Sequence, residues 1–308
     1  MDKKRILVLL SSYNGEKYIE EQINSVLNQV NVHITLMIRD DGSIDKTREV
    51  LKQYELHDHV IIMKDKNIGC AKSFLELMKA AYNMKDQFDY FSFCDQDDFW
   101  MPEKLFKASH ILNEMDNSIP CLYFSNLYVV DANLNNPRLL FNNKDVSISK
   151  RHALIESFCT GCTMVFNKKA LDLYLNTPIR QLRIHDKRLF HMCLFLGKIY
   201  YDEDAYIKYR QHANNVIGAN AFFSQRIRSK IKSLKQLPNQ HVREEEAKEL
   251  IYSFNNMLSE QDKEIILEVA NYRTKWYYRY NLLFNKEYKM TKKVDNFWSK
   301  IRILIGHI

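Results

Sequence analysis

Apolar positions in the first 115 residues come in two alternating rhythms. Residues 6–10 form an unbroken apolar run, as in a strand buried on both faces. Residues 15–29 then place Ile19, Ile23, Val26 and Leu27 on one helical face. The alternation continues with strands at 34–38, 60–63 and 90–94. Between and after them lie helical patterns at 45–55 (Val50, Leu51, Tyr54 inward), 69–82 (Phe74, Leu77, Met78 inward) and 102–115. Pro102 suits a first helical turn, where its missing N–H costs nothing. This order predicts an α/β fold with a mostly parallel sheet and helices on both faces. The middle is less regular: strands are expected at 121–130, 161–167 and 206–211, and a helix at 185–196. From residue 221 the pattern is helical, basic and aromatic, so the chain divides into a region 1–220 and a C-terminal helical region 221–308.

Composition fits a folded chain: of 308 residues, 46% are hydrophobic and 27% charged. The net charge of +7 is unevenly placed. Of 45 Lys and Arg and 38 Asp and Glu, 17 and 10 lie in residues 221–308, so the whole excess sits there and residues 1–220 are neutral. No apolar stretch of about 18 residues predicts a membrane span. The apolar run at 6–10 is too short for a signal peptide, so a cytoplasmic location is expected. There the six cysteines should be reduced. Cys159 and Cys162 have no second ligand pair for zinc, and two small residues at a buried strand edge is the simpler reading.

In an open α/β sheet, ligands bind beyond the carboxyl ends of the strands. Polar groups follow three of them: Ser11-Ser12-Tyr13-Asn14, Arg39-Asp40-Asp41-Gly42-Ser43 and Asp95-Gln96-Asp97-Asp98. Each set alone could be ordinary turn chemistry. Three carboxylates within four residues are harder to dismiss, because crowded acids repel until a cation or proton relieves them. Hard oxygen ligands suit Mg²⁺ or Mn²⁺, which commonly hold substrate phosphates. No glycine-rich phosphate loop is present, so a bound diphosphate would need the metal to neutralise it.

These runs resemble a family-two glycosyltransferase of the GT-A type, with a Rossmann-like sheet, and most of all its bacterial rhamnosyltransferase-like members. Further matching residues are Asn67-Ile68-Gly69, Phe99-Trp100-Met101-Pro102-Glu103-Lys104-Leu105, Thr160-Gly161-Cys162-Thr163-Met164, His185-Asp186, Tyr209-Arg210-Gln211-His212 and Asn214-Asn215-Val216-Ile217-Gly218, in the expected order. Cys162 departs from the second small residue that many relatives carry. The resemblance implies that Tyr13 stacks on the nucleobase with Ser11 beside it. It implies that Asp41 accepts a base N–H, favouring uracil or thymine. Asp95 would contact ribose or metal, Asp97 would ligate the metal, and Asp186 would be the general base. His212 would be a further metal ligand or a diphosphate contact. The implied reaction is inverting transfer, with L-rhamnose from dTDP-rhamnose first and a UDP-hexose next, to a glycan or polyprenyl-diphosphate-linked acceptor in surface polysaccharide synthesis.

The chemistry agrees with those roles: a sugar hydroxyl is a poor nucleophile, so a positioned carboxylate speeds attack by about 10²–10⁴-fold. A metal offsets charge on the departing diphosphate. Plainer readings exist. Asp186 could cap the helix beside it, His212 could be a core or loop histidine, and Trp100 could pack or form an acceptor platform. A non-catalytic nucleotide-sugar or glycan-binding protein of the same fold is the other class, and the presence of Asp97 and Asp186 argues against it. A nucleotidyltransferase is disfavoured, since its glycine-rich loop is absent.

Region 221–308 combines Arg226, Arg228, Lys230, Lys232 and Lys235 with Trp276-Tyr277-Tyr278-Arg279-Tyr280, then Lys292, Lys293, Phe297, Trp298, Lys300, Ile301, Arg302 and Ile303. Basic, aromatic amphipathic helices lie in membrane interfaces. The expectation is an anionic surface, at the inner face of the cell membrane; a solvated helical cap is the alternative. Nucleic acid is not expected, because residues 1–220 are neutral and no binding module is seen.

Overall fold

The computed structural model describes residues 2–141, 148–211 and 241–308. The chain forms two compact units. One is built from Met1–Asn142 and Cys159–Arg210, the other from Asn143–Phe158 and Gln211–Ile308.

The first unit carries the sheet. Strands β1 (Arg5–Ser12), β2 (His33–Asp40), β3 (Val60–Lys64) and β4 (Tyr90–Cys94) pair in parallel in the order β3-β2-β1-β4. Helices α1 (Ile19–Leu27), α2 (Thr47–Lys52) and α3 (Cys70–Tyr82) connect them. Ile6, Val8 and Leu10 share one core with Ile19, Ile23 and Val26 of α1, Leu51 of α2, and Leu105, Ala108 and Leu112 of α4 (Lys104–Glu114). Leu7 and Leu9, on the opposite face, are equally buried. A strand covered on both sides has no polar face, which explains the unbroken apolar run.

Past β4 the sheet becomes mixed. It continues through β8 (Val165–Asn167), β6 (Cys121–Val130) and β9 (Lys198–Arg210) to β5 (Phe99–Trp100), with β7 (Arg138–Leu139) beside β6. The pair β6–β9 is parallel, whereas β4–β8, β6–β8, β5–β9 and β6–β7 are antiparallel. The strand expected at 161–167 is shorter. Gly161–Thr163 is a turn of 3₁₀ helix, held by Thr163 Oγ1 donating to the Thr160 carbonyl at 2.7 Å. The strand expected at 206–211 is the end of the 13-residue β9. Helix α6 (Lys168–Asn176) starts where the Asn167 side chain accepts from Ala170 N–H, and α7 (His185–Leu196) follows.

The second unit is helical among its described residues: α5 (Lys150–Ile155), α8 (Val242–Phe254), α9 (Glu260–Ala270), α10 (Trp276–Phe284) and α11 (Lys293–Ile305). Lys150 bonds Asp262 at 2.7 Å, and Arg151 reaches Glu268 at 3.3 Å and Glu287 at 2.9 Å. The Lys300 ammonium donates to the Leu282 and Tyr288 carbonyls, both at 2.6 Å. Trp276, Tyr280 and Phe284 recur every fourth residue along α10 and all are exposed, Trp276 at 79%. Val294, Phe297, Leu304 and Ile305 are exposed on α11. No helix among the described residues is long and apolar enough to cross a membrane.

Candidate active site

The ends of β1, β2 and β4 are neighbours in the sheet, so the polar runs after them meet. The Gln96 side chain ties two of them together: its Oε1 accepts the Tyr13 N–H at 2.9 Å and its Nε2 donates to the Tyr13 carbonyl at 3.0 Å. A Cβ at Gly15 would lie 2.3 Å from Gln96 Oε1, so any side chain there would push the Gln96 amide out of this position. Asn14 sits at φ +51°, its N–H given to Ser43 Oγ at 3.0 Å and its Oδ1 accepting from Ile44 N–H at 3.0 Å. Tyr13 is left 45% exposed on this braced turn. Ser11, at the end of β1, donates to Ser73 Oγ at 2.6 Å.

Asp41 is 2% exposed and serves the neighbouring turn. Its Oδ1 accepts from Arg39 and from Ile68 N–H at 2.9 Å, and its Oδ2 accepts from Gly69 N–H at 2.9 Å. Gly42 turns the chain at φ +80°, where its Cα faces the Asn67 backbone. The Asn67-Ile68-Gly69 run is thus the partner of Asp41, and it delivers the chain into α3.

Beyond β4 the acids gather. Asp98 is fully buried; its Oδ1 accepts the Arg210 N–H at 3.2 Å, while its Oδ2 has no nitrogen or oxygen donor and faces the Cys162 thiol. Carboxylate oxygens of Asp95 and Asp98 and the Cys162 sulfur lie within 4.8 Å of one another. Burial, then the charges of Asp97 and Asp186, pushes the Asp95 carboxyl up to about 7. Burial, Asp97 and Asp95 likewise push Asp98 well up. The Cys70 thiol, at the start of α3, rises to about 12 through burial and the charges of Asp95, Asp186, Asp41 and Asp97. Beneath the turn, the buried Lys104 ammonium lies 3.5 Å over the Trp100 ring and donates to Ser92 Oγ at 3.2 Å. Burial lowers Lys104 to about 7. Trp100 is 1% exposed and so packs.

Asp186 stands in the first turn of α7, whose N-cap is Ile184. Its Oδ2 accepts from Gly161 N–H at 3.0 Å and its Oδ1 from Lys187 N–H at 2.7 Å. The preceding His185 is wedged in an apolar box, stacked on Phe74 at 3.9 Å and edge-on to Phe93 at 4.7 Å. Burial lowers it to about 4, so it is neutral at physiological pH and packs behind Asp186.

Asp41, Asp95, Asp97 and Asp186 therefore act on shared neighbours, with Ser11 and Tyr13 on the adjoining β1 turn. His212 lies outside the described residues. The acid turn fits a divalent cation: its carboxylates are hard ligands, carboxylate oxygens of Asp95 and Asp98 lie within 4.8 Å of one another, and the crowding raises proton affinity. Asp95, Asp97 and Asp98 would supply the oxygens; the Cys162 thiol, kept protonated by burial and by Asp98, would not. The Gln96 clasp and the contacts of Arg210 are not legible in the sequence. Both residues stood inside quoted motifs, but nothing local marks their partners.

Residues 7–175 match the family described as Glycosyl transferase family 2. The chain belongs to that family. It is 30% identical over 254 residues to the dTDP-rhamnosyl transferase RfbG of Shigella flexneri, covering 78% of this chain and 82% of that one. Among solved structures, S. aureus TarS 1-349 in complex with UDP-GlcNAc is similar at TM-score 0.60 and 16% identity, over 98% of this chain and 80% of that chain. The mannosyltransferase PcManGT from Pyrobaculum calidifontis, in complex with GDP-Man and Mn²⁺, gives TM-score 0.52 at 14% identity, over 99% and 74%. The α/β fold with its C-terminal helices is that of GT-A glycosyltransferases, and the protein is a glycosyltransferase.

Proposed function

We propose that the enzyme transfers one sugar, with inversion, from a nucleoside diphosphate donor to a hydroxyl of a glycan or polyprenyl-diphosphate-linked acceptor in bacterial surface polysaccharide assembly. The observation that carries this reading is a pair of contacts: Asp186 Oδ2 accepts the Gly161 N–H at 3.0 Å, and the next residue, Cys162, has its sulfur within 4.8 Å of carboxylate oxygens of Asp95 and Asp98. L-Rhamnose from dTDP-rhamnose is the first donor, supported by the likeness to RfbG. A UDP-hexose is the alternative, since the TarS neighbour was solved with UDP-GlcNAc. Tyr13, half exposed and braced by Gln96, suits a base platform that needs no ordering on binding. Ser11 supports the same turn. Asp41 shapes the base pocket and retains acceptor capacity on Oδ2 for a pyrimidine N–H. Asp95 and Asp97 hold ribose and metal; Mg²⁺ or Mn²⁺, when bound, offsets charge on the departing diphosphate. His212 is assigned to the same ligand set on family resemblance. Asp186 takes the acceptor proton as the hydroxyl attacks C1 from the face opposite the diphosphate.

A donor screen tests the reading. With Mn²⁺ or Mg²⁺ present, dTDP-rhamnose is expected to raise the melting temperature, because it binds only the folded state. Stabilisation by no dTDP- or UDP-sugar, with or without metal, would overturn it.

The second unit suits a lipid surface. Trp276, Tyr280 and Phe284 form an exposed aromatic stripe, with Lys275, Arg279, Lys286 and Lys289 in or beside the same helix. Charge attraction is screened within roughly 8–10 Å at physiological salt, so aromatic insertion supplies the second anchor. A peripheral position on the inner face of the cell membrane would raise the local concentration of a lipid-linked acceptor. Co-sedimentation with anionic vesicles is expected at low salt, weaker at high salt, and weaker again in Trp276→Ala/Phe284→Ala. A protein that stays in the supernatant at low salt would leave the stripe without this role.

A further inference from the structure

Arg210, the last residue of β9, is 2% exposed. A buried guanidinium is costly unless its donors are satisfied. Here they are spread over three separate parts of the first unit. Nε donates to the Asp97 carbonyl at 2.8 Å, Nη1 donates to the Ala132 carbonyl at 2.6 Å, and Nη2 pairs with the Glu21 carboxylate of α1. The plane lies 4.3 Å from the Tyr18 ring centroid, and the Arg210 backbone N–H reaches Asp98 Oδ1 at 3.2 Å. Two contacts therefore end on the consecutive acids Asp97 and Asp98.

We propose that Arg210 is the positioning residue of the acid turn, holding the Asp97–Asp98 peptide so that its carboxylates are set for the metal-bound diphosphate. The inference rests on the metal-dependent transfer proposed above. An arginine that merely closed the end of β9 would need a carboxylate. This one gives Nε and Nη1 to backbone carbonyls, and the Nε acceptor lies in the acid turn. Its ion-pair partner Glu21 is half exposed and belongs to a helix that carries none of the proposed ligands. The positive charge also lies against a turn where Asp95, Asp97 and Asp98 repel one another. Lysine would keep the charge, but one ammonium cannot span three acceptors lying in different directions.

The test uses the full chain and its Arg210→Lys variant. Free Mn²⁺ is followed by electron paramagnetic resonance during titration with UDP or dTDP present, alongside the melting temperature and transfer kinetics. Supporting-shell substitutions around metals cost about 10–100-fold in affinity. Arg210→Lys is expected to raise half-saturating Mn²⁺ by about that factor and to raise donor KM, with kcat largely restored at saturating Mn²⁺. Glu21→Gln, which weakens only the outer end of the tether, should shift Mn²⁺ in the same direction by less. A folded Arg210→Lys with unchanged half-saturation overturns the proposal; if that variant does not fold, unchanged half-saturation in Glu21→Gln does so instead. Absence of Mn²⁺-nucleotide binding in the unmodified chain would overturn the metal-dependent donor reading along with it. Normal binding there with an unmoved variant removes only the role of Arg210.

Discussion

Asp186→Asn is expected to lower kcat by about 10²–10⁴-fold, the worth of a positioned general base, while donor binding stays nearly unchanged. The substitution preserves shape and removes proton affinity. Its structural cost is bounded by the contacts in hand. The carboxylate accepts one backbone N–H on each oxygen, from Gly161 and from Lys187. An amide can serve only one of them, so about one hydrogen bond, roughly 1 kcal/mol, is forfeited. That lowers the melting temperature by a few degrees and leaves the protein folded. A loss of turnover a hundredfold or more therefore cannot come from unfolding. The helix-cap reading predicts a different pattern. A cap residue lost from the first turn of α7 would reduce stability with kcat intact in the folded fraction. Steady-state kinetics with calorimetric donor binding separates the two. A variant that binds donor poorly and turns over normally would assign Asp186 to the donor site. One secondary effect has a definite sign: removing the Asp186 charge should lower the proton affinity of Asp95, since that charge is among those raising it.

The parallel half of the fold and the acid turn were both legible in the sequence for the same reason: each is marked locally. Strands β1, β2 and β4 are apolar runs with polar residues directly after them, so the run and its functional end are read together. The second half was less clear because its strands are less covered. In β9, residues 198–204 mix tyrosines with charges and are partly exposed, so only the apolar end of the strand was recognised. The local mark of helix α6 is its side-chain cap, Asn167, rather than its apolar periodicity. At the site, the run of acids showed which residues crowd but not which is buried. Asp98 is the buried one, and the reason is Arg210 and Cys162, far away in sequence. The Arg210 side chain finds its acceptors 113, 78 and 189 residues away, a pattern that no spacing rule detects. Asp41 illustrates the converse. Its place after β2 suggested a ligand contact, whereas much of its hydrogen-bonding capacity goes to Arg39, Ile68 and Gly69.

Excess EDTA, or Asp97→Ala, is expected to lower transfer by about a thousandfold or more, the several kcal/mol that a Lewis acid contributes to charge stabilisation. Added Mn²⁺ or Mg²⁺ should restore the chelated enzyme and not the variant. The size follows from the charges already present. Burial and mutual repulsion push Asp95 and Asp98 toward holding protons before any substrate arrives. A diphosphate brings further negative charge to the same turn, so a protein without the cation should bind donor weakly as well as react slowly. Calorimetry with UDP or dTDP, with and without metal, reads the first effect, and initial rates read the second. Full turnover in excess EDTA would sink the metal role of Asp97. The burden of neutralising the diphosphate would then pass to protein cations, and among the described residues three that lie near the acids already have partners. Arg39 is paired with Asp41, Arg210 holds the Asp97 carbonyl and Glu21, and Lys104 is buried against Trp100 and Ser92. Freeing any one of them would break contacts it already makes, and that is why the expected dependence on a divalent cation is steep.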